Sequence, residues 1–353
     1  MTQFHDLKVV DVKRETVDTV SVGFEIPGNL KSDFAFTAGQ YLTLSFDING
    51  NEERRAYSLC SAPSEEVLRV AVKQVDGGKV STHINQNLNA GDVVKVMAPE
   101  GGFVLASNAG NAKTYVAFAA GSGITPMLSM AKVVKNEEPN SKFVLFYGNK
   151  DAENTIFKTE FDGMQGSNVT TSYIFSRQDS GDALTNGRID EAKAKALIER
   201  AGLTGADAFY LCGPEEMIVN ATKGIEACGV AKDKVHYELF TTPVLMEGGA
   251  TPEYDGDFEG TAKITVVYDD EEFSFDLDRN GESILETAIE EGVDVPFSCK
   301  GAVCCTCKAK VVEGKAVMDA NYALTDQEVE EGYVLTCTAH PVTPTVKVDY
   351  DDI

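Results

Sequence analysis

The chain of 353 residues is too long for one ordinary hydrophobic core and suits two or three domains. With 43% hydrophobic and 25% charged residues it is neither disordered nor fibrous. Its net charge of −25 excludes nucleic acid as a partner, because phosphates attract Lys and Arg rather than carboxylates.

The leading residues Met1-Thr2-Gln3-Phe4-His5-Asp6 lack a basic segment followed by an apolar one. The most apolar stretch, Tyr115 to Ala120, is far too short for a bilayer. The expected location is cytoplasmic, with no membrane contact. Residues 1–107 read as short alternating strands, among them Val20 to Ile26, Leu42 to Phe46 and Val70 to Lys73. Asn49-Gly50, Asp76-Gly77-Gly78 and Ala90-Gly91-Asp92 separate them as turns, which predicts a small antiparallel β-barrel. Within it, Arg55-Ala56-Tyr57-Ser58 combines a cation for a pyrophosphate, a ring that can stack on a flavin and a hydroxyl that can reach its reactive nitrogen. Gly78-Lys79-Val80-Ser81-Thr82 suits a second phosphate-cradling loop.

From 108 to 240 the pattern changes. Strand-like runs at 115–119, 143–147, 172–175 and 209–211 alternate with helix-like segments near 126–135, 155–163, 189–199 and 215–227. That order predicts a parallel sheet whose ligand lies beyond the carboxyl ends of its strands. Gly121-Ser122-Gly123-Ile124-Thr125-Pro126 follows the first strand and opens a helix, a phosphate-loop candidate in which Pro126 replaces the third glycine of the Rossmann pattern. Cys212-Gly213-Pro214 repeats the arrangement after a later strand, with its thiol aimed at the same crevice.

Residues 241–260 read as a linker, broken by Pro243, Gly248-Gly249, Thr251-Pro252 and Gly256. In the third segment, 261–353, two strand-like runs flank Asp269-Asp270, and Ser283 caps a helix running to Glu290. Three cysteines precede Cys299 and five fall between Cys299 and Cys337. Cys299, Cys304 and Cys307, with Cys337 after 29 intervening residues, match the C-x4-C-x2-C…C spacing of a plant-type [2Fe–2S] cluster. Small residues such as Gly301 and Ala302 let backbone N–H groups turn toward its sulfurs. The alternatives are a zinc site, which favours paired C-x2-C knuckles, or reduced free thiols. Cys305 reads as a bystander, and Cys60 and Cys228 as small buried hydrophobes.

Taken in order, R-x-Y-S, G-x-x-S, G-x-G-I-T-P, C-G-P and the cysteine spacing resemble the ferredoxin–NADP reductase superfamily, in the subgroup with a fused plant-type ferredoxin. Tyr147-Gly148-Asn149, Glu238-Leu239-Phe240 and Tyr322-Ala323-Leu324 resemble its phenylacetyl-coenzyme A epoxidase reductases. The resemblance implies an FAD-binding barrel, an NAD(P)-binding α/β domain and an α+β β-grasp ferredoxin domain. It implies that Arg55, Ala56, Tyr57, Ser58, Val72, Lys73 and Gly78 to Ser81 bind FAD. Thr125 would lie where flavin and nicotinamide meet. Gly121, Ser122, Gly123, Cys212, Gly213 and Pro214 would hold the dinucleotide, and Glu238 and Phe240 would approach the flavin. Ser58, Cys212 and Glu238 are the candidate catalytic residues.

Ser176-Arg177 stands where the family places the adenosine 2′-substituent and favours NADPH, while Asp179 nearby keeps NADH open. The implied reaction carries electrons from NAD(P)H through FAD and the cluster to the oxygenase component of a multicomponent monooxygenase, such as phenylacetyl-coenzyme A epoxidase. Rival acceptors are a ring-hydroxylating dioxygenase, a desaturase or a hybrid-cluster protein; the non-enzyme rival is a redox-sensing adaptor. From Thr261 onward 7 Lys and Arg stand against 20 Asp and Glu, a net of −13. That acidity reads either as a solvated surface or as a docking face for a basic partner.

Overall fold

A computed structural model describes residues 4–246, 248–252 and 258–352. Residues 4–246 form one compact unit, and the described residues from 248 onward form another. No helix among the described residues is long and apolar enough to cross a membrane.

The first unit begins with six antiparallel strands, β1 (Phe4–Thr16), β2 (Thr19–Glu25), β3 (Tyr41–Ile48), β4 (Asn51–Ser58), β5 (Val67–Lys73) and β6 (Val93–Met97). Their order is β4-β3-β6-β1-β2-β5, and a bridge from Leu59 to Val70 joins the two edges into a barrel. Alternating Val20, Val22 and Phe24 on β2 and Leu42, Leu44 and Phe46 on β3 fill it. Asn49 and Gly50 both take positive φ, as the tight two-residue turn from β3 to β4 requires.

The segment Gly78 to Ser81 is not the loop expected from its glycine and serine. Gly78 caps a helix, α1 (Lys79–Gln86), because Val80 and Ile84, one turn apart, both sink into the barrel core.

The same unit continues into a five-stranded parallel sheet. Its elements are β7 (Thr114–Ala120), α2 (Ile124–Glu137), β8 (Lys142–Asn149), α3 (Lys158–Asp162), β9 (Val169–Phe175), α4 (Glu191–Ala201), β10 (Ala208–Cys212), α5 (Glu215–Glu226) and β11 (Val235–Glu238). The order β11-β10-β7-β8-β9 puts the ends of β7 and β10 side by side, in register from Ala119 to Cys212. Strand β7 reads as a continuous apolar run because helices cover both faces of such a sheet. The Oγ of Ser129 on α2 donates to the Ser61 carbonyl at 2.7 Å, and Lys132 pairs with Glu65 at 2.8 Å, tying sheet to barrel.

The second unit contains β12 (Thr261–Tyr268), β13 (Glu271–Asp278), α6 (Ile284–Glu290), β14 (Lys308–Glu313), β15 (Ala316–Met318), α7 (Asp326–Glu330), β16 (Tyr333–Leu335), β17 (Ala339–Pro341) and β18 (Thr345–Asp349). Its main sheet is mixed, ordered β13-β12-β18-β14-β16, with β12 and β18 parallel. Ile284, Leu285 and Ala288 of α6 pack into the core of this α+β unit. The expected Ser283 cap is present, its Oγ accepting from Glu286 N at 3.2 Å. Of the expected linker, residues 247 and 253–257, Gly256 among them, lie outside the described residues.

Candidate functional site

Alternation along β4 divides the Arg55-Ala56-Tyr57-Ser58 string between two faces. Arg55 shares a face with Tyr57 and with Glu53, to which it is ion-paired at 3.4 Å; half of its side chain is exposed. Lys79, at the start of α1, pairs with the same carboxylate, and it holds Glu53 below the usual carboxylate range. Burial raises the Tyr57 phenol, which stays neutral. Two cations on one carboxylate, with Tyr57 on the same strand face as Arg55, fit a flavin dinucleotide, whose pyrophosphate needs charge and whose ring system needs a stacking partner.

The Val72 side chain is in the barrel core and Lys73 pairs with Asp18 at 3.5 Å. Val80 is also buried, and the Ser81 Oγ accepts from Val75 N at 3.2 Å. The first turn of α1, Lys79 to Ser81, thus offers its backbone N–H groups and the Lys79 ammonium, while Gly78 N is taken by the Val75 carbonyl at 3.1 Å. Sequence reasoning missed the support beneath that turn. Asn85 donates to the Val72 and Ser81 carbonyls, both at 2.9 Å, and Arg14 bonds Asn85 Oδ1 at 2.9 Å. Its signal was weak: an Asn inside a helix has to find partners when buried.

The ends of β7, β10 and β11 bring the Gly121–Gly123 turn and the Cys212–Pro214 segment together. Gly121 to Gly123 form a single tight turn into α2. A Cβ on Gly123 would sit 2.2 Å from the Cys212 carbonyl oxygen, so the two loops touch backbone to backbone and glycine is required. Beneath the turn, the buried Tyr147 donates its hydroxyl to the Gly121 carbonyl at 3.1 Å. The Thr125 Oγ1 is turned inward on the Ser122 carbonyl at 3.1 Å, which leaves little of Thr125 exposed. Phe240 is 42% exposed just beyond β11.

Three groups from separate strands meet here. Parallel pairing sets Cys212 beside Glu238, and Ser58 Oγ at the end of β4 donates to Glu238 Oε2 at 3.0 Å. Burial outweighs that hydrogen bond and pushes the Glu238 carboxyl up to about 8. Burial, and then the Glu238 charge, drive the fully buried Cys212 thiol upward. At neutral pH the crevice therefore holds a protonated acid, a thiol and a hydroxyl, with no net charge among them.

At the ends of β8 and β9, Arg177 N donates to the Lys150 carbonyl at 2.8 Å, and the Arg177 side chain is exposed. Ser176 Oγ meets the Asn149 carbonyl at 3.3 Å. Asp179 is spent on its own loop, accepting from Gly181 N at 2.9 Å and Asn186 Nδ2 at 2.6 Å.

In the second unit the cysteine loop groups its thiols two and two. Cys304 Sγ lies 3.1 Å from Cys299 Sγ, and Cys307 is hydrogen-bonded to Cys337. Among the described residues no three His, Cys, Asp or Glu converge on one metal-ion position. Two pairs fit a diferric cluster with two thiolates per iron better than the single tetrahedral centre of zinc.

The Cys304 thiol, with the amides of Gly301, Val303 and Cys304, holds Cys299 down to about 6. Cys337 is lowered first by Cys307 and then by backbone amides including that of Ala302. Positive φ at Lys300 and at Ala302, one of the two small residues expected there, turns the loop inward. Behind it, Tyr350 OH donates to Thr336 Oγ1 at 2.7 Å, and that hydroxyl to the Cys307 carbonyl at 3.0 Å. Cys305 Sγ faces the Ala323 carbonyl at 3.7 Å. Cys60 is fully buried and raised to about 12 by burial, an inert core thiol.

Three family descriptions match in succession. An oxidoreductase FAD-binding domain covers residues 6–105, an oxidoreductase NAD-binding domain 118–223, and a 2Fe-2S iron-sulfur cluster binding domain 266–342. The chain is 36% identical to a subunit of 1,2-phenylacetyl-CoA epoxidase from Escherichia coli, over 99% of both chains. It is 30% identical to the ferredoxin reductase component of 3-ketosteroid-9-alpha-monooxygenase from Rhodococcus rhodochrous, over 98% of this chain and 96% of that one. Among solved structures, phthalate dioxygenase reductase superposes with a TM-score of 0.60 at 26% identity, covering 98% of each chain.

Proposed function

The chain belongs to the flavin- and iron–sulfur-containing reductase components of oxygenase systems, and we propose that it takes electrons from NADPH and serves a phenylacetyl-coenzyme A epoxidase. Bound FAD and a [2Fe–2S] cluster would supply the conversion of a two-electron hydride into single electrons. The chain's residues bind and orient them. Arg55, Lys79 and the first turn of α1 would neutralise the flavin pyrophosphate, and Tyr57 would stack on its ring. The Gly121–Gly123 turn and the N-terminus of α2 would hold the nicotinamide dinucleotide's phosphates. Glu238 keeps its proton at neutral pH while accepting from Ser58 at Oε2, so no carboxylate charge opposes hydride passage beside Cys212. Cys299, Cys304, Cys307 and Cys337 would ligate the two irons.

One observation carries the choice of acceptor: the 36% identity to the epoxidase component runs the full length of both chains. The test is reconstitution with a purified epoxidase oxygenase component and phenylacetyl-coenzyme A. Product formation is expected; turnover with a ring-hydroxylating dioxygenase instead would replace this reading. The NADPH preference rests on Arg177 and on Asp179 being held by Gly181 and Asn186. Arg177→Ala should raise KM for NADPH about tenfold or more, the worth of one charged contact to phosphate, and hardly alter KM for NADH. Equal effects on both would remove the 2′-phosphate assignment.

A further inference from the structure

The Tyr147-Gly148-Asn149 string ends β8 beneath the Gly121–Gly123 turn. Parallel pairing sets Tyr147 beside Ala119, just ahead of that turn. The Tyr147 side chain is fully buried, with the rings of Phe161 and Tyr173 each 6.3 Å away, so packing fixes where its hydroxyl can reach. Burial pushes the phenol up, and the hydroxyl keeps its proton for donation. Two carbonyls lie within reach of that one proton, Gly121 at 3.1 Å and Ile156 at 3.3 Å. The Gly121 oxygen also accepts from Ile124 N inside the turn, so both of its lone pairs are engaged.

A trans peptide sends its N–H and its carbonyl in opposite directions, and no peptide bond among the described residues is cis. With the Gly121 carbonyl turned down onto the buried hydroxyl, the Ser122 N–H of the same peptide unit is turned away from the core. No acceptor among the described residues takes that N–H. An unpartnered amide at a glycine-rich turn into a helix suits a phosphate. We propose that Tyr147 is a positioning residue of the dinucleotide site, its hydroxyl holding the Gly121 carbonyl inward and so aiming the Ser122 N–H at a phosphate of the nicotinamide dinucleotide. The reading rests on the reductase function above. Gly121 takes a φ of 55°, and a glycine peptide can leave that conformation at little steric cost. Its direction therefore needs a tether, which a hydroxyl locked in the core supplies. If the proton served Ile156 alone, its loss would reach the segment before α3 and leave the phosphate turn as it is.

The test compares two hydride donors on the full-length holoenzyme and on its Tyr147→Phe variant, which keeps the ring and removes the hydroxyl. Tyr147→Phe should raise KM for NADPH and the dissociation constant of NADP+ by about threefold to tenfold, the worth of one net hydrogen bond. The limiting rate of flavin reduction at saturating NADPH should change little. N-benzyl dihydronicotinamide carries no phosphate, and it should reduce the flavin at the same rate in both proteins. An unchanged KM for NADPH would overturn the assignment, and so would an equal loss with both donors, which marks a general loosening of the fold. Amide hydrogen exchange reads the wild type independently of any variant. Ser122 N should exchange fast in the dinucleotide-free holoenzyme and slowly with NADP+ bound; slow exchange without the dinucleotide would place that N–H inside the protein and overturn the assignment. Wild-type flavin reduced by the phosphate-free donor but not by NADPH would instead remove the reductase reading, and this one with it.

Discussion

Cys212, the last residue of β10, and Cys299, in the loop after α6, are both proposed to face a cofactor, and their surroundings drive them in opposite directions. In the first unit Cys212 is fully buried, its backbone against Gly123, and burial keeps its thiol neutral. In the second unit Cys299 receives a thiol and three backbone amides, which hold it down to about 6. Hydride transfer gains from an uncharged crevice, whereas iron takes thiolate. The difference lies in the backbone. A regular strand end at Cys212 points few amides at the sulfur; the inverted residues Lys300 and Ala302 aim several at Cys299.

The sharpest way to break this contrast is to remove a thiolate. Cys299→Ser should abolish the iron–sulfur absorbance and all transfer to the oxygenase, while flavin reduction by NADPH stays near wild type. Gly123→Ala attacks the other loop. Its Cβ would meet the Cys212 carbonyl at 2.2 Å, so one loop must shift. Overpacking of that kind costs about 1–3 kcal/mol, and a displacement near 1 Å lowers hydride transfer about 100-fold. Stopped-flow flavin reduction would measure it, with the cluster absorbance unchanged.

A third prediction tests the acidic surface of the second unit. With a net of −13 from residue 261 onward, reduction of a basic oxygenase partner should slow about tenfold between low and high salt, because the screening length shortens from ~30 Å to below 10 Å. Flavin reduction by NADPH should change much less. A salt-independent partner rate would leave the acidity as a solvated surface.

What the chain revealed before its structure was uneven for the same physical reason. Local signals were readable: alternation in β2 and β3, the Asn49-Gly50 turn, the Ser283 cap, and thiol spacing that needs no partner to interpret. Contacts between distant segments were not. Nothing near Ser58 announces Glu238, 180 positions away, and the resemblance rather than the residues suggested that they share a site. Lys79 read as loop because Gly78 and Ser81 are turn formers, while the burial of Val80 and Ile84 that makes the helix depends on barrel strands far off in the chain.

The smallest predicted effect concerns Glu238, and its sign can be worked out. Unfolded, a glutamate titrates near 4.3; in the crevice burial moves this one up to about 8. Between those values the folded chain binds more protons than the unfolded one, so stability falls as pH rises through this window. Below about 4 both states are protonated and the term vanishes; above 8 the full penalty is present, on the order of a few kcal/mol. Glu238→Gln should therefore flatten the fall in Tm between pH 5 and 9. Since a hydride carries no proton with it, the variant should slow flavin reduction by a few-fold only, and should remove any pH dependence of that step near 8. Ser58→Ala deletes the hydrogen bond that favours the ionised form, so the break should move higher rather than disappear. A downward shift would show that Ser58 donates nothing to Glu238, and that the neutral crevice owes its protonation to another group.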